Sequence, residues 1–194
     1  LAWLGAGLGA ALLATRATRS PVAQRQDLAG HAVVEAGVQT GDGLHLAGWL
    51  VRPGPTSDRC VVLAAGLHGN RLAMIDRAEW YLQHGCATLL VDLRGTGSSD
   101  GARISMGLHE AEDLLAWRHW LRQQGFAHIG AHGISLGAAA IAYSARLDPA
   151  AWDFAVLESC YDDIRTALQN RLPWVPVPRL SLWPMVVASE WLMH

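Results

Sequence analysis

The hydroxyl of Ser135 is the side chain whose surroundings most clearly indicate chemistry, because it lies in the pattern Gly133-x-Ser135-x-Gly137. Residues 127–132 before it predict a short buried strand, and the alanine-rich residues 138–143 after it predict a helix. A serine at a sharp strand-to-helix turn forms a nucleophile elbow, in which a strained backbone holds the hydroxyl clear of the sheet. A Cβ at Gly133 or Gly137 would collide with this turn. The pattern predicts a nucleophile, the alternative being an ordinary serine in a glycine-rich turn.

A second chemical feature is the loop at residues 66–70, which follows the continuous apolar run at 60–65. That run has the length of a strand buried on both faces, as in a parallel sheet. Attack of a serine on a carbonyl carbon creates an oxyanion that needs preorganised N–H donors, and a loop at the C-terminal end of a strand can point backbone amides at it. We expect the Asn70 N–H and the Leu136 N–H to form this pair.

Four further residues are predicted to support these loops rather than to perform chemistry. His68 and Gly69 lie in the loop just described, and His68 is expected to brace it, with direct catalysis as the alternative. Asp92 and Arg94 follow a third buried run, at residues 86–91, and are expected to fix a glycine-rich loop near the serine. The glycines of that loop match neither the dinucleotide fingerprint nor the Walker loop, so no nucleotide site is predicted.

Length and composition restrict the class of protein. The 194 residues suit one domain, and with 51% hydrophobic and 16% charged residues they can bury a real core. The net charge of −2 and the absence of a Lys/Arg cluster give no electrostatic reason to expect nucleic acid as a partner. Cys60, Cys86 and Cys160 are too far apart for a disulfide framework or a metal site, so we expect packing residues and no metal.

The N-terminal residues 1–15 carry no charge and are followed by arginines. As a helix they would cover about 22 Å, less than the ~30 Å of a bilayer core. We favour an uncleaved membrane anchor, assigned to residues 1–19, over a signal peptide or a soluble apolar helix. The arginines would place the following domain in the cytoplasm. Because the first residue is leucine, we expect further residues upstream.

The rest of the chain alternates strand and helix patterns. A hairpin is predicted where Asp42-Gly43 separates two strand-like runs. The predicted strands are 33–39, 44–51, 60–65, 86–91, 127–132 and 154–157, and the predicted helices are 71–84, 105–124 and a short one ending near 172. Residues 31–172 therefore form the predicted core. The Pro- and Trp-rich residues 173–194 are expected to begin a cap over a pocket.

The order of these motifs along the chain resembles the order in the α/β-hydrolase fold family. A strand precedes His68-Gly69, a second precedes Asp92-x-Arg94-Gly-x-Gly-x-Ser, and a third precedes Gly-x-Ser135-x-Gly. Over residues 33–172 the chain looks like the serine aminopeptidase and monoacylglycerol-lipase-like branch. The resemblance implies an α/β fold with a mostly parallel, doubly wound sheet, incomplete at its C-terminus and preceded by the apolar N-terminal helix.

The resemblance also implies a function for the parent protein. Ser135 would be the nucleophile, with the amides of Asn70 and Leu136 as its oxyanion hole. The parent would cleave an ester, thioester or amide through an acyl-serine intermediate, without a metal or organic cofactor. The apolar cap favours a hydrophobic small-molecule acyl substrate. A different class of function stays open, a catalytically inactive, membrane-tethered binding module in which Ser135 is vestigial.

The chain departs from the family after Ser135. The family places an acid after its seventh strand and a histidine after its eighth, whereas the only histidine after Ser135 here is the final residue, His194. The carboxylates that follow are Asp148, Asp153, Glu158, Asp162, Asp163 and Glu190. Too few residues follow Glu158 for two more strands. We therefore expect a C-terminally truncated piece that is nearly inactive by itself, with Glu158 in a structural or pocket-lining role rather than as a relocated acid.

Overall fold

The computed structural model describes residues 15–161. Most of the predicted N-terminal apolar helix and the whole predicted cap lie outside these residues, as does the short helix predicted to end near residue 172. Between residues 15 and 161, no helix combines the length and the apolar character needed to cross a bilayer.

Strands and helices alternate along most of the described chain. The strands are β1 (Thr18–Arg19), β2 (Asp27–Leu28), β3 (His31–Gln39), β4 (His45–Val51), β5 (Arg59–Ala64), β6 (Ala87–Val91), β7 (Thr96–Gly97), β8 (His128–Ile134) and β9 (Ala155–Glu158). The α-helices are α1 (Ile75–Gln83), α2 (Leu108–Gln123) and α3 (Leu136–Leu147), and a 3₁₀ helix at Arg71–Met74 leads directly into α1.

Seven strands form one sheet in the order β2-β3-β4-β6-β5-β8-β9. The strands β6, β5, β8 and β9 run parallel. The strands β5, β6 and β8 are buried along almost their whole length, which confirms the three buried strands predicted at 60–65, 86–91 and 127–132. The strands β2, β3 and β4 are antiparallel to their neighbours. A tight turn joins β3 to β4, where the Thr40 N–H donates to the Leu44 carbonyl at 2.9 Å, and a parallel pair would need a longer crossover.

Helices cover both faces of this sheet, as expected for a doubly wound fold. Alternate side chains of β5 point to opposite faces, so that Val62 joins one core cluster while Val61 and Leu63 join the other. The first cluster includes buried residues of α2 and α3, and the second includes buried residues of α1. The carboxyl ends of the parallel strands are thereby left free to carry loops.

Helix α2 begins later than the sequence predicts. The predicted start at residue 105 falls in a loop, because Gly107 adopts φ 106° and interrupts the helical backbone. The buried carboxylate of Glu110 accepts hydrogen bonds from the backbone N–H groups of Ser105 and Gly107, both at 2.8 Å. This carboxylate therefore caps the helix from within, which is a more specific role than a favourable charge near the helix dipole.

The central position of β5 makes a prediction about stability. Leu63 is fully buried on the α1 face, so we expect Leu63→Ala to lower the free energy of unfolding by about 2–5 kcal/mol. Leu147→Ala is the matched control, because Leu147 is 59% exposed at the end of α3, and its effect should stay within about 0.5 kcal/mol. Urea denaturation of the two variants measures the difference, and equal losses would contradict this assignment of the core.

Candidate active site

Ser135 lies at the junction of β8 and α3, where the chain turns sharply from strand to helix. Its backbone angles are φ 52° and ψ −107°, a conformation that costs a residue with a side chain roughly 1–3 kcal/mol. The residue is largely buried, with 9% of its surface exposed. The turn thus places the serine directly after the last residue of β8, at the carboxyl end of the parallel strands, where the loops that follow the strands meet.

The two glycines around Ser135 are required by close backbone contacts. A Cβ on Gly133 would overlap the carbonyl group of Gly137 and the amide nitrogen of Ala138. A Cβ on Gly137 would overlap the carbonyl group of Ala64 at the end of β5. Neither obstacle is a flexible side chain that could move aside. The elbow can therefore close only when both positions carry glycine.

The amide groups of the elbow have different partners. The Ser135 N–H donates to the Glu158 carbonyl at 2.8 Å, and the Gly137 N–H donates to the Ala65 carbonyl at 3.1 Å. The N–H of Leu136, between these two, donates to no acceptor within residues 15–161. An amide at the start of a helix without an internal partner is a ready donor for a negatively charged oxygen.

The loop that contains Asn70 lies beside the serine. A Cβ on Gly66 would be 3.5 Å from the Ser135 Cβ, and the Gly69 N–H closes a turn onto the Gly66 carbonyl at 2.9 Å. The side chain of Asn70 caps the 3₁₀ helix by accepting from the Leu72 N–H at 3.0 Å. Among the described residues, nothing accepts the backbone N–H of Asn70. The two amides predicted from the sequence as donors are thus both available in this part of the chain.

His68 occupies the tip of this loop. Its φ of 61° is left-handed, and its side chain is exposed. Within residues 15–161 the imidazole makes no hydrogen bond or ion pair. In the described structure His68 therefore contributes to the loop through its left-handed backbone, and the predicted bracing by its side chain is not observed.

Asp92 holds the C-terminal end of the same loop through Arg71, the residue that follows Asn70. Its carboxylate accepts from the Arg71 backbone N–H at 2.7 Å and from the Arg71 guanidinium at 2.7 and 3.0 Å. The Ser98 N–H adds a further bond at 2.7 Å, and both partners of the ion pair are almost fully buried. Gly97 leaves room for the carboxylate, because a Cβ there would overlap it. One buried carboxylate therefore joins the loop at 66–70 to the loop after β6.

Arg94 performs a similar task farther along the loop after β6. Its guanidinium forms a two-pronged bond to the buried carboxylate of Asp113 in α2, at 2.6 and 2.7 Å. A third bond, at 3.0 Å, reaches Asp42 in the β3–β4 turn. Both Asp92 and Arg94 thus make structural contacts. The sequence does not single out Arg71 or Asp113, because no spacing indicates which distant charges are buried together.

Glu158 stands at the end of β9, next to the elbow. Its carboxylate accepts from the Arg77 guanidinium at 2.9 and 2.7 Å and contacts the His132 Nε2 at 2.6 Å. The hydrogen bond from Arg77, with a further contribution from His132, lowers the pKa of Glu158 to about 2. Since an ionised carboxylate can only accept, His132 must donate from Nε2. Its Nδ1 lies 3.1 Å from the Tyr81 hydroxyl, so both ring nitrogens have partners.

The other carboxylates between Ser135 and the end of the described residues also make structural contacts. Asp153 accepts from the Ile129 N–H at 2.8 Å, and Asp148 accepts from the Ala150 N–H at 3.0 Å. The described residues do not include the other carboxylates that follow Ser135 in the sequence, which are Asp162, Asp163 and Glu190. They do not include the final His194 either. Of the cysteines predicted as packing residues, Cys60 is buried, Cys86 is half-buried and Cys160 is exposed.

The family of the chain is established by a family model that covers most of it. The model for the X-Pro dipeptidyl-peptidase (S15) family matches residues 15–187. The chain belongs to the S15 family. This S15 chain shares its fold with the esterase Pf2001 of Pyrococcus furiosus, with a TM-score of 0.72 and 23% identity over 88% of this chain and 69% of the esterase. The α/β-hydrolase architecture implied by the sequence motifs is thereby confirmed.

Two further comparisons involve a fungal protein. The crystal structure of the α/β hydrolase GrgF from Penicillium sp. sh18 matches with a TM-score of 0.58 and 28% identity, covering 63% of this S15 chain and 44% of GrgF. The polyketide transferase grgF of Penicillium is 42% identical over 63 residues, which are 31% of this chain. The matched stretch spans about a fifth of the length of the curated relatives, 20% and 21%.

The contact between Gly137 and β5 leads to a test of the elbow. We expect Gly137→Ala to lower the free energy of unfolding by about 3 kcal/mol or more, because the new methyl group would meet rigid backbone. Gly41→Ala is the control, since a Cβ on Gly41 meets nothing within 4 Å, and it should change stability by about 0.5 kcal/mol at most. Thermal and urea unfolding compare the two. A stable Gly137→Ala variant would refute the close approach.

The buried pair of Arg71 and Asp92 leads to a second test. We expect Asp92→Asn to cost about 3 kcal/mol, because it leaves a buried guanidinium without its main counter-charge. Asp100→Asn is the matched control, since Asp100 pairs with Arg19 at the surface, and it should cost about 1 kcal/mol or less. Chemical denaturation measures both, and similar small losses would show that the buried pair does not hold the loops.

Proposed function

We propose that the protein containing this chain is a serine hydrolase that cleaves an ester, thioester or amide through an acyl intermediate on Ser135. The observation that carries the proposal is the strained backbone at Ser135, with φ 52°, between two glycines that admit no Cβ. Strain of this kind persists where the surrounding structure enforces it, and it is concentrated at functional sites. Membership of a peptidase family and the likeness to an esterase fold support the same class of reaction.

In the proposed reaction, the Ser135 Oγ attacks the carbonyl carbon of the substrate. The carbonyl oxygen becomes an oxyanion, and the amides of Asn70 and Leu136 donate hydrogen bonds to it. Removal of one such donor typically costs about 10²–10³ in kcat. Collapse of the tetrahedral intermediate releases the leaving group, which takes the proton of the serine hydroxyl by way of a base. Water then cleaves the acyl-serine bond, releases the acid and restores the hydroxyl.

Glu158 and His132 are not the acid and the base that the proposed proton transfers need. Both nitrogens of His132 and both oxygens of Glu158 already have partners within the described residues. The base and its acid are therefore expected outside residues 15–161, as the family pattern implies. Ser135 without an imidazole beside it would be a poor nucleophile at neutral pH.

The acyl group of the substrate is proposed to be hydrophobic. Residues 173–194 are rich in Trp, Pro, Leu and Val, which favours an apolar covering over the acyl pocket. The relatives do not narrow the choice further, because one is named an esterase and another a polyketide transferase. The proposal therefore stays at the level of acyl transfer to water.

A fluorophosphonate probe tests the role of Ser135 in the full-length protein. We expect the probe to label wild-type protein at Ser135, identified by peptide mass spectrometry, and Ser135→Ala to lose the label completely. Ser20→Ala is the control, because Ser20 is exposed in the N-terminal part of the described chain, and labelling should be unchanged. Undiminished labelling of Ser135→Ala, or no labelling of folded wild-type protein, would reject the proposed nucleophile.

A further inference from the structure

Glu158 connects the two halves of the candidate site. Through its backbone it accepts the Ser135 N–H at 2.8 Å, so it contacts the elbow directly. Through its carboxylate it binds Arg77 in α1 with two hydrogen bonds, at 2.9 and 2.7 Å. The mechanism of acyl transfer uses neither contact. One residue thus touches both the turn that carries the serine and the helix that follows the Asn70 loop.

Helix α1 is the continuation of that loop. The 3₁₀ helix begins directly after Asn70, and α1 follows without a break. Asp92 holds the first residue of this segment, Arg71, and Glu158 holds Arg77 farther along α1. A helical segment fixed at two points cannot rotate or slide freely. The contact at Arg77 therefore helps to set the position of the Asn70 amide relative to Ser135.

His132 fixes the same carboxylate from the strand side. It belongs to β8, the strand that ends at the elbow, and its Nε2 lies 2.6 Å from Glu158. Its other nitrogen meets the hydroxyl of Tyr81 in α1 at 3.1 Å. Glu158, His132 and Tyr81 therefore form a continuous chain of contacts that connects β8 and β9 to α1. An open cavity of about 340 Å³, lined by Arg77, Trp80, Tyr81 and His132, lies next to these contacts.

We propose that Glu158 and Arg77 are positioning residues for the reaction at Ser135. Together they hold the elbow and the Asn70 loop at the separation that an oxyanion between them needs. This inference rests on the proposed function. Small displacements of groups around a reacting atom lower rates strongly, since a shift of about 1 Å can cost about 10²-fold. Loss of the contact should therefore reduce the rate of the chemical step and leave binding of the reagent nearly unchanged.

The experiment uses the full-length protein and the variants Glu158→Gln, Arg77→Met and the two combined. The rate constant for inactivation by the fluorophosphonate, kinact, is expected to fall about tenfold in each single variant. The apparent binding constant KI should change less than about twofold. The double variant should be no slower than the single ones, because both changes remove the same contact. Arg77→Lys keeps the charge without the two-pronged bond, and its rate should lie in between.

Two measurements separate positioning from general stability and from the proposed function. Asp148→Asn alters another partly exposed ion pair, with Arg118 at 3.4 Å, and should leave kinact unchanged. Hydrogen exchange of the Ser135 amide does not need catalysis, and it should become about tenfold faster in Glu158→Gln and Arg77→Met while the melting temperature changes little.

The possible results are distinct. Absence of label on Ser135 in wild-type protein rejects the proposed function, whereas exchange of the Ser135 amide still tests the positioning. Labelling of wild-type protein together with unchanged kinact and unchanged exchange in both single variants overturns the inference. A fall in kinact that Asp148→Asn reproduces would show a general effect of surface charge and would overturn it as well.

Discussion

The start of α3 packs backbone to backbone against the end of β5, and the geometry of the site depends on this contact. Gly137 approaches the carbonyl of Ala64 so closely that no side chain fits between them, and its N–H is bonded to the carbonyl of Ala65. This approach forces the chain to turn within one residue, and the left-handed backbone of Ser135 is the result. It also leaves the Leu136 amide, the first of the helix, without a partner among the described residues.

Buried charge pairs fix the loops around that turn. Asp92 receives two side-chain bonds and two backbone bonds, so its oxygens are well satisfied despite complete burial. Arg94 and Asp113 form a second such pair between the loop after β6 and α2. Removing charges from water is costly, and pairs of this kind stabilise a structure only when their geometry is nearly ideal. What they supply here is a defined arrangement of the loops, because they bind each loop to a distant part of the chain in addition to the backbone hydrogen bonds within the loops.

The ion pair of Glu158 and Arg77 differs from these two buried pairs because it is accessible to water. The side chain of Glu158 is about one-third exposed, as is that of Arg77, so the Coulomb attraction between them is partly screened. The two-pronged geometry and the contact with His132 nevertheless hold the carboxylate in one place. The hydrogen bond from Arg77 keeps the pKa of Glu158 near 2, so the contact persists across the neutral pH range. Its structural value lies in joining three elements rather than in net stability.

Local pattern was sufficient to predict much of the fold. The continuous apolar runs predicted the buried strands β5 and β6, and Asp42-Gly43 predicted the hairpin, because these features depend on neighbours in the chain. The start of α2 was wrong by a few residues, since the carboxylate of Glu110 folds back on the residues before the helix. Such capping is decided by side-chain geometry that the hydrophobic period does not contain.

The sequence by itself determined the α/β arrangement and the spacing of glycines that a strand-to-helix turn at Ser135 requires, because both follow from the size and polarity of adjacent residues. Only the tertiary structure decided that Arg71 lies buried on Asp92 and that Glu158 joins Arg77 to His132. These partners are separated by 21, 81 and 26 positions. No local pattern records such pairings, since they exist only after the parallel strands have brought their carboxyl ends to one edge of the sheet.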